Sequence, residues 1–266
     1  MSFGHIGTKP INWAGQTYEE IQEISSQDGS LLVVPVGSIE QHGPHLPVAT
    51  DTILVDAVTH LGAERVSDNI PIAVLPPFWS GFSPGHMSLG GTVTLDFDVL
   101  LDALENIADS ALKNGFDALL FLNGHGGNQA AISAAVTTVG DSHPDVEVLG
   151  VTYFTLLPDV DDIRESDPGG MSHAGEFETS LMLHLHPNLV SEENIVAEAL
   201  EEPYNHGTHD LMDIGPLAVY REFEEYSYTG AIGVPELATA EKGEQLFNLI
   251  GDELKALLTS IHEQNR

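Results

Sequence analysis

The chain has 266 residues, and its 41 Asp and Glu against 8 Lys and Arg give a formal net charge of −33. This charge argues against binding nucleic acid or an anionic membrane, because both partners are polyanions. Hydrophobic residues still make up 42% of the chain, which is enough for a core, and the length fits a single α/β domain over residues 1–266.

Short apolar runs alternate with amphipathic stretches along most of the chain. The runs predict buried strands at residues 31–36, 70–75, 118–122 and 146–154. The amphipathic stretches predict helices at residues 51–65, 96–114, 128–139, 174–185 and 240–262. Strands separated by helices indicate βαβ units, so we expect a mostly parallel sheet covered on both faces. Residues 187–235 have no clear period and are expected to be irregular.

The chain contains no cysteine, so any metal site must use His, Asp and Glu. Its acidic residues are dispersed along the chain, a pattern typical of proteins from salt-accumulating cells. The alternative is an ordinary acidic cytosolic protein. The N-terminus lacks the pattern of a signal peptide, and no apolar run approaches the roughly 20 residues of a membrane span. We therefore expect a cytoplasmic protein.

Ligands of open parallel sheets bind beyond the carboxyl ends of the strands, which directs attention to the loop after the first strand. Glu40 and His42 stand two positions apart in this loop, so an extended segment projects both to one side, and Asp51 follows at a helix start. Two carboxylates and an imidazole are typical ligands of a divalent metal. The alternative from spacing alone is two solvated loop residues and a helix N-cap.

The loop after the third strand reads Asn-Gly-His-Gly-Gly-Asn, with His125, Gly126 and Gly127 at its centre. Glycines beside a His allow the backbone to approach a ligand closely. The backbone of Gly126 and Gly127 would either donate N–H groups to an oxyanion or leave room for substrate. A phosphate cradle is the competing interpretation, but no Lys or Arg lies nearby in the sequence to support it.

A third cluster runs from His173 to Glu178 at the start of an apolar helix. His173 has the chemistry of a proton donor or base, and Glu178 projects from the helix start. Acids near a positive helix end also have a purely structural role, and we prefer this role for Glu176.

Four stretches, in this order, resemble the creatininase (creatinine amidohydrolase) family: PVGSIEQHGPHLPVATD, NGHGGN, HAGEFETSLML and GVPELATAEKGE. The resemblance implies a three-layer αβα sandwich, two divalent ions (Zn²⁺, Mn²⁺ or Fe²⁺) and hydrolysis of a non-peptide or cyclic C–N amide bond. It implies that Glu40, His42, Asp51 and His125 are metal ligands, with Asp51 bridging the ions, and that His173 is catalytic.

The chain departs from creatininase at several positions. Gly127 stands where creatininase has a metal-binding Glu, and we expect Glu178 to replace it as ligand and catalytic carboxylate. The tryptophans that enclose creatinine are replaced by Phe154 and by Gly169 or a neighbour, which disfavours creatinine as substrate. The NGHGGN form is more similar to relatives that deformylate a formamidopyrimidine nucleotide, and others that resemble it act in maturing a peptide-derived redox cofactor.

The predicted mechanism is attack on an amide carbonyl by a water that two metal ions activate, with His173 protonating the leaving nitrogen. His86 lies in a loop that resembles a family pocket segment, and we predict that His86, Gly126, Gly127 and Phe154 contact the substrate. The partners expected are a small-molecule amide and further copies of the chain, with a hexamer among the options. The alternatives are a catalytically inactive metal-binding interaction protein and a phosphate-binding module.

The remaining histidines are expected to be structural or solvated, and three cationic residues are candidates for binding a phosphate. His206 and His209 precede Asp210 and imitate a metal-ligand spacing, but we expect solvated side chains. His184 and His186 end an apolar helix, where His suits the negative end of the dipole. A phosphorylated substrate would have few cations to bind it, among which the candidates are Arg164, Arg221 and Lys242.

Overall fold

The computed structural model describes residues 10–196, 204, 206, 210–212 and 216–266. Within them the central sheet is parallel, in the order β2-β1-β3-β4, and consists of β1 (Leu31–Val36), β2 (Ile72–Val74), β3 (Ala118–Asn123) and β4 (Glu147–Thr152). The inner strands β1 and β3 are buried along their whole length, which explains their unbroken apolar runs. Val36 pairs with Asn123, so both strands end at the same edge of the sheet.

Helices cover both faces of the sheet, which confirms the predicted αβα sandwich. They are α1 (Tyr18–Ser25), α2 (Thr50–Glu64), α3 (Phe97–Leu112), α4 (Gln129–Ser142), α5 (Glu176–Leu185) and α6 (Ala240–Asn265). Alternate residues of β1 enter two separate cores, because successive side chains point to opposite faces. Leu31 and Val33 pack with α2, α5 and α6, whereas Leu32 and Val34 pack with α1, α3 and α4.

The structure differs from the sequence prediction at several boundaries. Helix α1 was missed, although Thr17 and Glu20 form a capping box that marks its start. Strand β4 ends at Thr152, and Tyr153–Leu156 continue as a 3-10 turn. In the described part of residues 187–235 only short 3-10 turns interrupt the irregular backbone, as expected. None of the described helices combines the length and apolarity needed to span a bilayer.

Candidate metal centre

Five side chains of the three sequence motifs converge at the carboxyl edge of the sheet. Glu40 and His42 follow β1, Asp51 lies in the first turn of α2, His125 follows β3, and Glu178 lies in the first turn of α5. All five are buried, with relative exposures of 6% or less. Strand pairing explains the convergence, since the loops after β1 and β3 start side by side.

Asp51 lies between two histidines. Its Oδ1 is 3.1 Å from His42 Nε2, and its Oδ2 is 3.2 Å from His125 Nδ1. Two groups of three ligand atoms therefore share Asp51, one with Glu40 and His125 and the other with His42 and Glu178. Within each group all ligand atoms lie within 4.8 Å of one another. Asp51 is not the N-cap of α2, a position that Ala49 occupies.

Backbone carbonyls determine which nitrogen of each histidine faces the carboxylates. His42 Nδ1 is 3.1 Å from the Glu40 carbonyl oxygen, and His125 Nε2 is 3.1 Å from the Phe82 carbonyl oxygen. A carbonyl only accepts hydrogen bonds, so these nitrogens carry the hydrogen of a neutral ring. In that neutral ring the other nitrogen, which faces Asp51, would keep a lone pair for a metal ion, and this is how metal-binding histidines are oriented.

Two buried carboxylate oxygens without a hydrogen-bond partner indicate that the residues fit a divalent cation. Glu40 Oε2 and Asp51 Oδ2 are buried side-chain oxygens without a hydrogen-bond partner. Both lie 3.2 Å from His125 Nδ1, so lone pairs of all three atoms point into one small space. Buried polar atoms of this kind need a partner, and a cation supplies one to all three. Carboxylate oxygens and imidazole nitrogens are ligands for Zn²⁺, Mn²⁺ and Fe²⁺.

The protonation of the centre without metal follows from these contacts. Burial alone would lower the pKa of His42, but Asp51 and Glu178 raise it well above its usual value. Glu40 and Asp51 likewise outweigh burial and raise the pKa of His125. Burial raises the pKa of Glu178, whereas facing imidazoles outweigh burial and hold the pKa of Glu40 well below its usual value. A metal ion would therefore displace protons from the imidazoles when it binds.

His173 and His86 lie beside the ligands and are held by Gln41, a contact that the sequence prediction missed. His173 Nε2 is 2.7 Å from the Gln41 carbonyl oxygen, and His86 Nδ1 is 3.1 Å from Gln41 Nε2. The N–H of Gly43 donates to Gln41 Oε1 at 3.0 Å, which orients the amide. His173 Nδ1 and His86 Nε2 then face Glu40 Oε1 at 3.5 and 3.6 Å.

His173 is a neutral imidazole in this environment. Burial lowers its pKa, and the nearby rings of His42 and His86 lower it further, to well below 6.5. Since its Nε2 hydrogen is donated to the Gln41 carbonyl, its Nδ1 keeps a lone pair. That nitrogen has the protonation state of a general base at neutral pH.

Phe223 covers this pair of histidines, and it could not be predicted because residues 187–235 lack a hydrophobic period. Its ring centre is 4.2 Å from that of His86 and 4.7 Å from that of His173. The 3-10 turn Phe223–Glu225 brings the ring there by packing against the turn Pro84–Leu89. A buried aromatic ring therefore borders the candidate site.

The glycines of the NGHGGN motif have different surroundings. A Cβ at Gly127 would lie 2.4 Å from His125 Nε2 and 2.5 Å from the Phe82 carbonyl oxygen, whereas a Cβ at Gly126 would meet nothing within 4 Å. The loop that carries Phe82 thus occupies the space that a side chain at position 127 needs. This packing explains why the carboxylate of a ligand cannot project from position 127 in this backbone.

The two asparagines of the motif fix the loop. Asn123 Nδ2 donates to the His125 carbonyl oxygen at 2.7 Å, and the His125 N–H donates to Asn123 Oδ1 at 3.1 Å. Asn128 Oδ1 accepts a hydrogen bond from the Phe82 N–H at 2.9 Å, and Asn128 Nδ2 donates one to the Gly37 carbonyl oxygen at 3.0 Å. Side-chain amides therefore hold the loops after β1 and β3 together around His125.

Several residues singled out in the sequence lie elsewhere. Phe154 is 1% exposed and its ring packs in the core against Tyr153, so its contact with substrate stays a prediction. Gly169 has a positive φ of 99° in a loop, where glycine is favoured. His184 packs against Phe247 near the end of α5, and His186 caps that helix. His206 is exposed, as expected. His209 lies outside the described residues.

Two of the three candidate cations form buried ion pairs. Arg164 Nη2 donates to both carboxylate oxygens of Asp210 at 2.8 and 2.6 Å. Lys242 Nζ donates to Glu176 Oε1 at 2.7 Å, and Glu176 also accepts the N–H groups of residues 165 and 166. The structural role preferred for Glu176 agrees with these contacts. Both ion pairs hold the loop that carries His173.

Comparison with known proteins gives consistent matches over most of the chain. A family model described as creatininase, creatinine amidohydrolase, matches residues 14–258. A mycofactocin precursor peptide peptidase of Mycolicibacterium smegmatis is 33% identical over 222 residues, 82% of this chain and 79% of that protein. The creatinine amidohydrolase of Pseudomonas putida is 27% identical over 248 residues, 88% of this chain and 90% of that protein.

Solved structures match as well. A crystal structure of creatinine amidohydrolase has a TM-score of 0.81 at 25% identity, and the match covers 97% of this chain and 99% of that chain. A manganese form of creatininase has a TM-score of 0.79 at 26% identity, with the same coverage. A Zn-Zn type of a creatininase variant matches similarly, with a TM-score of 0.80 at 25% identity, over 97% of this chain and 99% of that chain.

Proposed function

The chain belongs to the creatininase family, and we propose that it is an amidohydrolase that cleaves a C–N amide bond with two divalent metal ions. The observation that carries the proposal is the position of Asp51 between two groups of ligand atoms. One ion would be held by Glu40, Asp51 and His125, and the other by His42, Asp51 and Glu178. Glu178 would thus supply the carboxylate that position 127 lacks.

Divalent ions at such a centre lower the pKa of a water molecule and polarise the amide carbonyl. The chain supplies the proton transfer. His173 Nδ1 faces the ligand Glu40 and has a lone pair to accept the proton of the attacking water. It then returns the proton to the leaving nitrogen, since an amide anion is too poor a leaving group to depart unprotonated.

Substrate contacts are proposed for His86, Gly126 and Gly127. Gln41 donates to His86 Nδ1, so the neutral His86 ring carries its hydrogen at Nε2, on the side of Glu40. This N–H is suited to donate to a substrate oxygen. Gly126 is exposed and leaves open space beside the ligand His125, where the substrate would enter.

For the substrate we propose first the formyl amide of a formamidopyrimidine nucleotide, on the likeness of the NGHGGN motif. A peptide amide is the second candidate, because a relative that is 33% identical is named as a peptide peptidase. The proposed substrates therefore include peptide bonds as well as the non-peptide amide bonds expected from the sequence. Creatinine is a third candidate. We further propose one catalytic domain over residues 1–266, a homo-oligomeric assembly and a cytoplasmic location.

The test is metal analysis of the purified protein combined with a substrate screen. We expect two ions per chain and hydrolysis of a formamidopyrimidine nucleotide, a short peptide or creatinine. Activity should disappear with a chelator and return when Zn²⁺, Mn²⁺ or Fe²⁺ is added. Bound metal without any hydrolysis would favour an inactive metal-binding interaction protein. Binding of phosphate compounds that ignores metal removal would favour a phosphate-binding module.

A further inference from the structure

The cations of the described residues are distributed in a way that singles out Arg221. Arg164 and Lys242 are occupied by buried carboxylates, and Arg65 pairs with Asp252 on α6 at 2.8 Å. Lys113, Lys255 and Arg266 are exposed and lie on helices or at helix ends outside the site. Arg221 belongs to the segment that covers the histidines beside the metal ligands.

The position of Arg221 follows from its neighbours. It stands two residues before Phe223, whose ring packs on His86 and His173. Its carbonyl oxygen would lie 3.1 Å from a Cβ at Gly85. Its guanidinium lies 5.8 Å from the ring centre of Tyr226, and that ring is 5.9 Å from Phe223. A row of aromatic rings thus leads from the catalytic His173 to a cation.

Two of the acids close to Arg221 in sequence have other partners. Glu222 accepts the Tyr220 hydroxyl at 2.9 Å, and Glu225 accepts the Glu222 N–H at 3.2 Å. In the described part of the chain, Arg221 has no ion pair with a carboxylate, and its guanidinium lies over the ring of Tyr226. A cation–π contact leaves the N–H donors of a guanidinium available to an anion.

We infer that Arg221 binds an anionic group of the substrate, a carboxylate or a phosphate. This inference rests on the proposed function and deepens it, because it names the substrate as an anionic amide. A net charge of −33 repels anions at long range, so an anionic substrate requires local positive charge at the site. A guanidinium binds carboxylate and phosphate oxygens in a bidentate manner, and Arg221 is a half-buried residue of the segment that covers His86 and His173.

The test compares binding of matched probes to the metal-loaded protein by calorimetry. One pair is N-acetylglycylglycine and its C-terminal amide, and the other is ribose 5-phosphate and ribose. Wild-type protein should bind the charged member of at least one pair more tightly than the neutral member. We expect Arg221→Gln to reduce this preference by about tenfold or more, the range of a charge-assisted hydrogen bond, and Lys255→Gln to preserve it.

The pair that responds identifies the source of the anion, a peptide carboxylate or a sugar phosphate. The inference is wrong if wild-type protein shows no charge preference with either pair, or if the preference survives Arg221→Gln. The measured quantity is binding affinity and not turnover, so a failure of this inference can be distinguished from a failure of the proposed function. If the protein hydrolyses an amide but Arg221→Gln keeps the preference for the charged probe, only this inference is rejected. If Arg221→Gln abolishes the preference but no amide is hydrolysed, only the proposed amidohydrolase function is rejected.

Discussion

The Asp51 carboxylate and the His42 imidazole lie 3.1 Å apart, although His42 belongs to the loop after β1 and Asp51, nine positions later, to the first turn of α2. The chain reverses between them, and the Glu40 N–H donates to the Val48 carbonyl oxygen at 2.9 Å across the reversal. One short segment therefore supplies three of the proposed ligand side chains, and the loop after β3 supplies His125. The predictions below test what each part of this arrangement does.

Conservative substitutions of the carboxylates should distinguish a bridging ligand from a terminal one. We expect Asp51→Asn to lose both ions, and Glu40→Gln and Glu178→Gln to lose one ion each, because Asp51 belongs to both groups of ligand atoms. Activity should fall by about a hundredfold or more, since even the loss of a group that only hydrogen-bonds to a metal ligand costs about ten- to a hundredfold. Metal content per chain is the measurement. One full ion in Asp51→Asn would exclude the bridging role.

Replacement of His173 should impair turnover without emptying the centre. His173→Gln removes the proposed proton carrier, so kcat should fall by about 10²- to 10⁴-fold, the usual contribution of a general acid or base. Metal analysis serves as the control, with His206→Gln as a variant of an exposed histidine. Unchanged turnover with metal bound would show that another group transfers the proton.

The two glycines after His125 offer a matched pair. Gly127→Ala places a Cβ 2.4 Å from His125 Nε2, and the imidazole must leave the position in which its Nδ1 faces Asp51, whereas Gly126→Ala meets nothing within 4 Å. We expect Gly127→Ala to weaken metal binding by about ten- to a hundredfold and Gly126→Ala to leave it unchanged. Metal titration of both variants gives the comparison. Equal affinities would mean that the loop relaxes at no cost.

The Lys242–Glu176 pair should matter for stability. Lys242→Met leaves the Glu176 carboxylate buried with only backbone N–H partners, and we expect a loss of about 3 kcal/mol in the free energy of unfolding. Lys255→Met, on an exposed face of α6, should change it by less than about 0.5 kcal/mol. Chemical denaturation measures both. Adding Glu176→Gln to Lys242→Met should recover part of the loss, and a similar cost for both lysines would contradict the buried pair.

His45 should contribute a pH dependence to stability. Burial lowers its pKa from 6.5 to about 4, so between these values the unfolded chain binds a proton that the folded chain does not. Stability therefore falls as the pH is lowered through this window. His45→Gln should flatten the curve of unfolding free energy against pH between 6.5 and 4. A wild-type slope retained in this variant would assign the dependence to other groups.

The four proposed ligands Glu40, His42, Asp51 and His125 could be placed together from the sequence because strand ends and local spacing decide their position. Parallel strands end at one edge, and three of the four lie within one short segment that runs from the end of β1 to the start of α2. Glu178 was a less direct prediction, since its approach depends on how α5 packs against α2. Its place at the start of an apolar helix and the missing carboxylate at position 127 pointed to it.

The family resemblance placed Phe154 where creatininase has a tryptophan that encloses creatinine. In the structure the 3-10 turn after Thr152 directs its ring into the core, and its contact with substrate stays a prediction. Phe223 reaches the histidines through long-range packing in a stretch without periodicity, and local sequence carries no signal for such contacts. The position of Gln41 was informative, because it stands between the proposed ligands Glu40 and His42 in the first motif.

The proposed ligands come from two loops and two helix starts that span residues 40 to 178. An ion held by all of them would cross-link distant parts of the chain and would be absent from the unfolded state. A free ion at one hundred times its dissociation constant adds about 2.7 kcal/mol to stability. The supply of metal would then control the lifetime of this protein against proteolysis as well as its activity, and cells starved of metal would contain less of it.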